Sequence, residues 1–197
     1  SIIVFEVIEL ARKIVVTSGK GGVAKTTICA NLGVYLSRLG FRVAMLDVDI
    51  GLNNLDVVMG LEKQVVFDIT DVVSGKCRVR QALVQDVNYP SLYLLPSSHS
   101  YASSKITGEH IKNITDIIDH SFDYILLDCP AGVEAGFHRA VYPANEAIIV
   151  VTPHLSSLRD ADKVLSIISS YRIESKYLVI NRMRGDLLLS GEMINIE

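Results

Sequence analysis

Near the start of the chain a cluster of small residues leads into a lysine and a threonine: Gly19-Lys20-Gly21-Gly22-Val23-Ala24-Lys25-Thr26, with Thr27 next. The pattern is G-x-x-x-x-A-K-T. It follows an apolar run, Ile14-Val15-Val16, and opens a stretch with helical spacing through Ala30, Leu32, Leu36 and Leu39. Successive backbone N–H groups on a loop that enters a helix N-terminus suit a chain of phosphates, which needs many donors. In that arrangement Lys25 reaches the β- and γ-phosphates and the Thr26 hydroxyl ligates magnesium. Residues Gly19 to Thr27 are therefore expected to hold a nucleotide, ATP with Mg2+.

One position departs from the phosphate-loop pattern, which has glycine where Ala24 stands. Glycine serves there because the backbone often needs positive φ and because the phosphates pass close by. An alanine held in left-handed geometry costs about 1–2 kcal/mol. The methyl group also intrudes on the phosphate path, so nucleotide affinity is expected to fall roughly tenfold or more. A small shift of the loop is the alternative.

Carboxylates stand where a phosphate site needs them. Asp47-Val48-Asp49 closes the apolar run Val43-Ala44-Met45-Leu46, and strand alternation puts both acids on one side. Asp128 closes Tyr124-Ile125-Leu126-Leu127 and is expected to hold magnesium through water. In open parallel sheets ligands bind at these carboxyl ends of the strands.

The elements that must position these groups alternate. Short apolar runs at Ile14–Val16, Val43–Leu46, Leu92–Leu95, Tyr124–Leu127, Ala147–Val151 and Tyr177–Ile180 read as six strands. Helical spacing appears at Ile111, Ile114, Ile117 and Ile118, and again over Ser157–Ser169. The reading is an α/β domain, a doubly wound, mostly parallel sheet with helices on both faces, the P-loop NTPase fold. Residues 13–197 form it, and residues 1–12 form an N-terminal extension, either an extra edge strand or an appendage.

At 197 residues, 49% hydrophobic and 21% charged, the chain has the material for one well-cored domain. A formal charge of −3 argues against wholesale nucleic-acid binding. No apolar run reaches the roughly 18–20 residues that cross a bilayer. Ser1–Leu10 carries Glu6 and Glu9 and lacks a basic leader, which makes it a poor signal peptide. Cys29, Cys77 and Cys129 form no CxxC pair and read as reduced packing thiols.

The loop KGGVAKTT resembles the deviant Walker A motif, KGGxGKTT, of the MinD/ParA family of ATPases. Longer stretches are similar to its septum-site-determining branch: Asp49-Ile50-Gly51-Leu52-Asn53-Asn54-Leu55-Asp56, Asp128–Gly132, Pro143–Ala147 and Ser156–Asp162. The resemblance implies that Lys20 reaches across a nucleotide-sandwich homodimer to the partner's phosphates. It implies that Asp49 orients the attacking water, Asp47 supports magnesium, a backbone N–H near Gly132 senses the γ-phosphate and Asn181 recognises the adenine edge. Lys20, Lys25 and Asp49 are then the catalytic set, and Thr26, Asp47 and Asp128 the metal set. Arg159, Asp160 and Asp162 would lie on the dimer and partner surface.

The function so implied is an ATP-driven dimerisation switch in placement of the division septum. It would recruit a MinC-like inhibitor at an anionic membrane and be stimulated by a MinE-like regulator, in bacterial cytoplasm or a plastid. Family members continue further and end in a short basic amphipathic helix; this chain stops at Glu197, which reads as a C-terminal truncation. Three other readings stay open. An ATP-binding remnant without turnover fits Ala24, a DNA-partition ATPase would need a basic face, and an iron–sulfur carrier would need paired cysteines.

Overall fold

In the computed structural model, which describes residues 10–52, 54–98 and 106–186, seven strands form one sheet. In chain order they are β1 (Arg12–Thr17), β2 (Val43–Asp47), β3 (Val84–Gln85), β4 (Leu92–Leu95), β5 (Tyr124–Asp128), β6 (Glu146–Val151) and β7 (Ser175–Ile180). The helices are α1 (Lys25–Arg38), α2 (Leu55–Met59), α3 (Ile69–Val73), α4 (Val79–Ala82), α5 (Gly108–Ile118), α6 (Ala135–Val141) and α7 (Leu155–Ile168).

The sheet order is β3-β4-β2-β5-β1-β6-β7, parallel except for β3, which runs antiparallel to β4. All six expected strands are present. The two-residue β3 carries too little pattern to be read from sequence. β1 begins at Arg12, and the Ala11 N–H donates to Asp119 Oδ1 at 2.8 Å, so residues 11 and 12 belong to the domain and not to the expected extension. The appendage or extra strand expected before them falls on residues 1–9, outside the described residues, as does most of the segment after Arg184.

Strand alternation divides the core. Val15, Ala44, Leu46, Ile125 and Leu127 face a layer of α3 to α7, with Ile111, Ile114, Phe137, Ala161 and Val164 buried there. Ile14, Val16, Met45 and Leu126 face the other way, against Cys29, Ala30 and Leu36 of α1 and Leu55 of α2. Gly33 lets α1 lie close to the sheet, since a Cβ there would meet Met45 Sδ at 2.5 Å. This layering brings the carboxyl ends of β1, β2 and β5 side by side. Asp47 and Asp128 are register partners on adjacent strands, and Val16 pairs with Asp128 on the other side.

Candidate nucleotide site

β1 is an interior strand between β5 and β6, buried from Ile14 to Thr17, and it delivers the glycine-rich loop to the crevice where the chain crosses from β5 over β1 to β6. The Ser18 hydroxyl donates to the Lys20 carbonyl at 2.8 Å and folds the loop back on itself. The loop ends at Ala24, whose φ of 69° and ψ of 35° are left-handed. The backbone therefore demands there the geometry expected from the motif, and the alanine pays in strain.

α1 starts directly after it. Its first turn holds no acidic side chain and its N-cap offers no side-chain acceptor. The first-turn N–H groups have no carbonyl four residues back within the helix, so donors and the positive end of the helix dipole face the crevice. Gly21 and Gly22 are exposed on the loop, Val23 is buried beneath it, and Thr27 lies on the outer side of the first turn.

Lys25 and Asp128 are both buried, at 8% and 2% exposure, yet Nζ and Oδ1 stand 3.8 Å apart, beyond hydrogen-bond length. Asp128 Oδ1 has no hydrogen-bond partner. Burial pushes this carboxyl up, against the charge of Lys25 and a hydrogen bond from the Thr26 side chain. A buried acceptor without a donor is costly unless a ligand completes it. The donor set of Thr26 hydroxyl and Asp128 carboxylate suits a hard cation such as Mg2+, held with waters.

Asp47, expected to support the metal, is engaged elsewhere. Its Oδ1 accepts from the Asp49 N–H at 3.0 Å, and its Oδ2 accepts from Asn54 and Leu55 at 3.1 and 3.2 Å. The carboxylate thus caps α2 and ties the Asp49 backbone to Asn54 and Leu55, with one Oδ1 lone pair left over. Desolvation, then the charge of Asp128, raises its pKa to about 7 despite these three bonds. Asp49 is half-buried; burial raises its pKa while Lys25 and Arg139 lower it. It therefore sits within the field of the phosphate-loop lysine, where a water-orienting role needs it.

Lys20 points across the loop to α7, with Nζ 3.4 Å from Ser156 Oγ. Gly19 packs so closely on the same helix that a Cβ would lie 2.5 Å from the Asp160 Cβ. Asp160 also pairs with Lys163 at 3.6 Å, while Arg159 and Asp162 are exposed beside it. The rim of the loop and the start of α7 form one continuous surface. Sequence alone shows the loop glycine but not the helix that requires it.

Two expected nucleotide contacts have partners within the chain. The Gly132 N–H, read as a γ-phosphate sensor, donates to the Ser18 carbonyl at 3.2 Å. It latches the segment after β5 to the phosphate loop and must break that bond to meet a phosphate. The Asn181 Nδ2, read as an adenine contact, donates to the Val23 carbonyl at 2.9 Å, and its Oδ1 accepts from the Arg182 N–H. One amide proton and one lone pair remain for a base edge. The end of β7 is in this way tied to the loop 158 residues away.

Known proteins share this arrangement. A family model for the AAA domain matches residues 11–179. The septum site-determining protein MinD of Bacillus subtilis is 46% identical over 190 residues, covering 95% of this chain and 71% of the relative. The chain belongs to the MinD family of P-loop ATPases.

Solved MinD structures superpose on it closely. The MinC:MinD cell division protein complex of Aquifex aeolicus matches with a TM-score of 0.86 and 43% identity, over 94% of this chain and 75% of that one. MinD of Pyrococcus horikoshii complexed with Mg-ADP matches with a TM-score of 0.81 and 31% identity, over 87% and 70%. Within the MinD family frame, the loop, Asp49 and Asp128 stand together at one end of the sheet, as the motifs imply. Ser18, Ser156 and the Asp47 cap are contributions that only the fold reveals.

Proposed function

We propose that this chain is a MinD-type ATPase that binds Mg-ATP and uses its hydrolysis to switch between monomer and homodimer in placement of the division septum. The observation that carries the reading is the buried, unpartnered Asp128 Oδ1 beside Lys25 and Thr26, at the head of an uncapped α1. Bound Mg2+ would supply Lewis-acid polarisation of the phosphates. The chain's own groups do the rest. Loop and first-turn N–H groups bind the phosphates, and Lys25 moves from its loose contact with Asp128 to the β- and γ-phosphate oxygens. Asp49, kept ionisable by the charges of Lys25 and Arg139 against its burial, orients the water. Release of Gly132 from Ser18 would report the γ-phosphate to α6.

Lys20 lies on the rim, hydrogen-bonded only weakly to Ser156, and is free to serve a second subunit's phosphates at little cost. The Aquifex aeolicus complex supports a MinC-like partner. A MinE-like regulator and action at the inner face of the cell membrane, or in a plastid, complete the proposed cycle. No helix among the described residues is long and apolar enough to cross a membrane.

The test is steady-state ATP turnover against protein concentration, in the wild type and in Lys20→Ala. Specific activity should rise with concentration in the wild type and stay flat, at least about tenfold lower, in the variant, since one lost charge-assisted contact is worth about 1.5–3 kcal/mol. Equal rates would rule out the sandwich mechanism. A second reading, binding without turnover, is favoured by the left-handed alanine at position 24. It predicts ATP binding with no phosphate release at any concentration.

A further inference from the structure

A second charged site lies at the opposite end of the sheet. Arg42 immediately precedes β2, Tyr93 is near the start of β4, and Ser121-Phe122 lie just before Asp123 and β5, so these residues gather at the end of the sheet opposite the nucleotide site. Together with Arg80 of α4 and Leu83 they line a concavity of about 180 Å³.

Two guanidiniums bracket one step of the chain there. Arg80 donates to Ser121 Oγ at 3.1 Å, and the Arg42 guanidinium carbon lies 5.5 Å from the centre of the adjacent Phe122 ring. Neither arginine side chain has a carboxylate within 4.0 Å among the described residues. The neighbouring Asp123 carboxylate is occupied by the Arg42 backbone N–H, at 2.6 Å. Ser121 accepts from Arg80 and keeps its own O–H as a donor.

Two permanently charged groups on one small concavity repel each other, and an anion between them removes the repulsion. Guanidiniums grip carboxylate and phosphate oxygens through paired N–H donors. The walls are aromatic, since Tyr93 meets Phe122 edge to face with centroids 5.4 Å apart. The volume is below the roughly 300–1,000 Å³ of pockets for drug-sized ligands, which restricts the occupant to about one ring.

We propose that this concavity binds a small organic anion, one carboxylate or phosphate monoester group held by Arg42, Arg80 and Ser121 with an apolar ring against Tyr93 and Phe122. The site is independent of the nucleotide reading, since it shares no residue with the phosphate loop.

The test is a titration of the full chain with phenyl phosphate, benzoate and neutral benzyl alcohol. It is followed by the backbone amide resonances of Ser121 and Phe122, with those of Lys25 and Thr26 as a separate reporter of the phosphate loop. Saturable shifts at Ser121 and Phe122 with at least one of the two anions are expected. Binding by phenyl phosphate alone assigns a phosphate ester, and binding by benzoate alone a carboxylate. Arg42→Ala and Arg80→Ala should each weaken it about tenfold or more, and Arg80→Lys, which keeps charge but loses the fork, should weaken it less. No saturable shift at Ser121 and Phe122, shifts confined to Lys25 and Thr26, wild-type affinity in either alanine variant, or equal binding of benzyl alcohol would overturn the proposal.

Discussion

At the amino ends of β1 and β6 the charges meet partners within the chain. Arg12 grips Glu146 through two bonds of 2.6 Å, which hold the Glu146 carboxyl below its usual range. Lys13 joins Asp116 at 2.7 Å and Asp119 at 2.9 Å, and Asp119 also caps the Ala11 N–H. At the carboxyl end of the same strands the charges are left incomplete. Lys25 and Asp128 face each other without bonding, Asp128 Oδ1 is orphaned, the Asp47 carboxyl is pushed up to about 7, and Ala24 is held left-handed. The amino ends of β1 and β6 are finished by the protein itself, and the carboxyl ends of β1, β2 and β5 by what they bind. Stability and ligand response should therefore separate between the two ends.

The largest separation concerns pH. Asp47 keeps its proton in the folded state to about pH 7, against the usual 3.8. Between these values the folded state binds more protons than the unfolded, so stability from this group falls as pH rises and is fully present only below about 3.8. Asp47→Asn cannot titrate. Without nucleotide or Mg2+, the wild type should lose up to about 4 kcal/mol relative to this variant between pH 4 and pH 8. Urea unfolding at a series of pH values measures it, and a constant difference would place Asp47 among the satisfied charges.

Next in size is Lys25→Ala, which should weaken Mg-ATP binding by about 3 kcal/mol, roughly 100-fold, through loss of two charge-assisted contacts. Its thermal stability should change far less than its affinity. At the other end, Asp119→Ala should cost about 2 kcal/mol of stability, because it strips Lys13 and the Ala11 N–H of a buried acceptor. Nucleotide affinity should stay as in the wild type.

The smallest effect, and the sharpest for the loop, is Ala24→Gly. Relief of the left-handed strain, less the added freedom of glycine in the unfolded chain, should leave about 1 kcal/mol of stability gained. Thermal unfolding reads it directly. A loss of stability would show that the alanine backbone is not strained.

The same division explains what could be read from the sequence. The strand Ile14–Val16, the glycine-rich loop and the helix after it are contiguous, so periodicity and motif place them together. Asp128 was legible because an apolar strand points to it. The four- and five-residue helices α2, α3 and α4 are too short for periodicity to show. The bond from Asn181 to Val23, the latch from Gly132 to Ser18 and the packing of Gly19 on Asp160 join distant segments, and only the folded sheet brings them together. Asp47 was placed at the right strand end, but its engagement with Asn54 and Leu55 depends on how the following turn folds back.

The claim at the centre is that the incomplete end of the sheet is completed by Mg-ATP. Isothermal titration of the wild type and Lys25→Ala with ATP, each with and without Mg2+, tests it most directly. One site per chain, tightened by Mg2+ in the wild type and about 100-fold weaker in the variant, is the predicted result. No binding heat in the wild type, or the same affinity in both proteins with or without Mg2+, would contradict it.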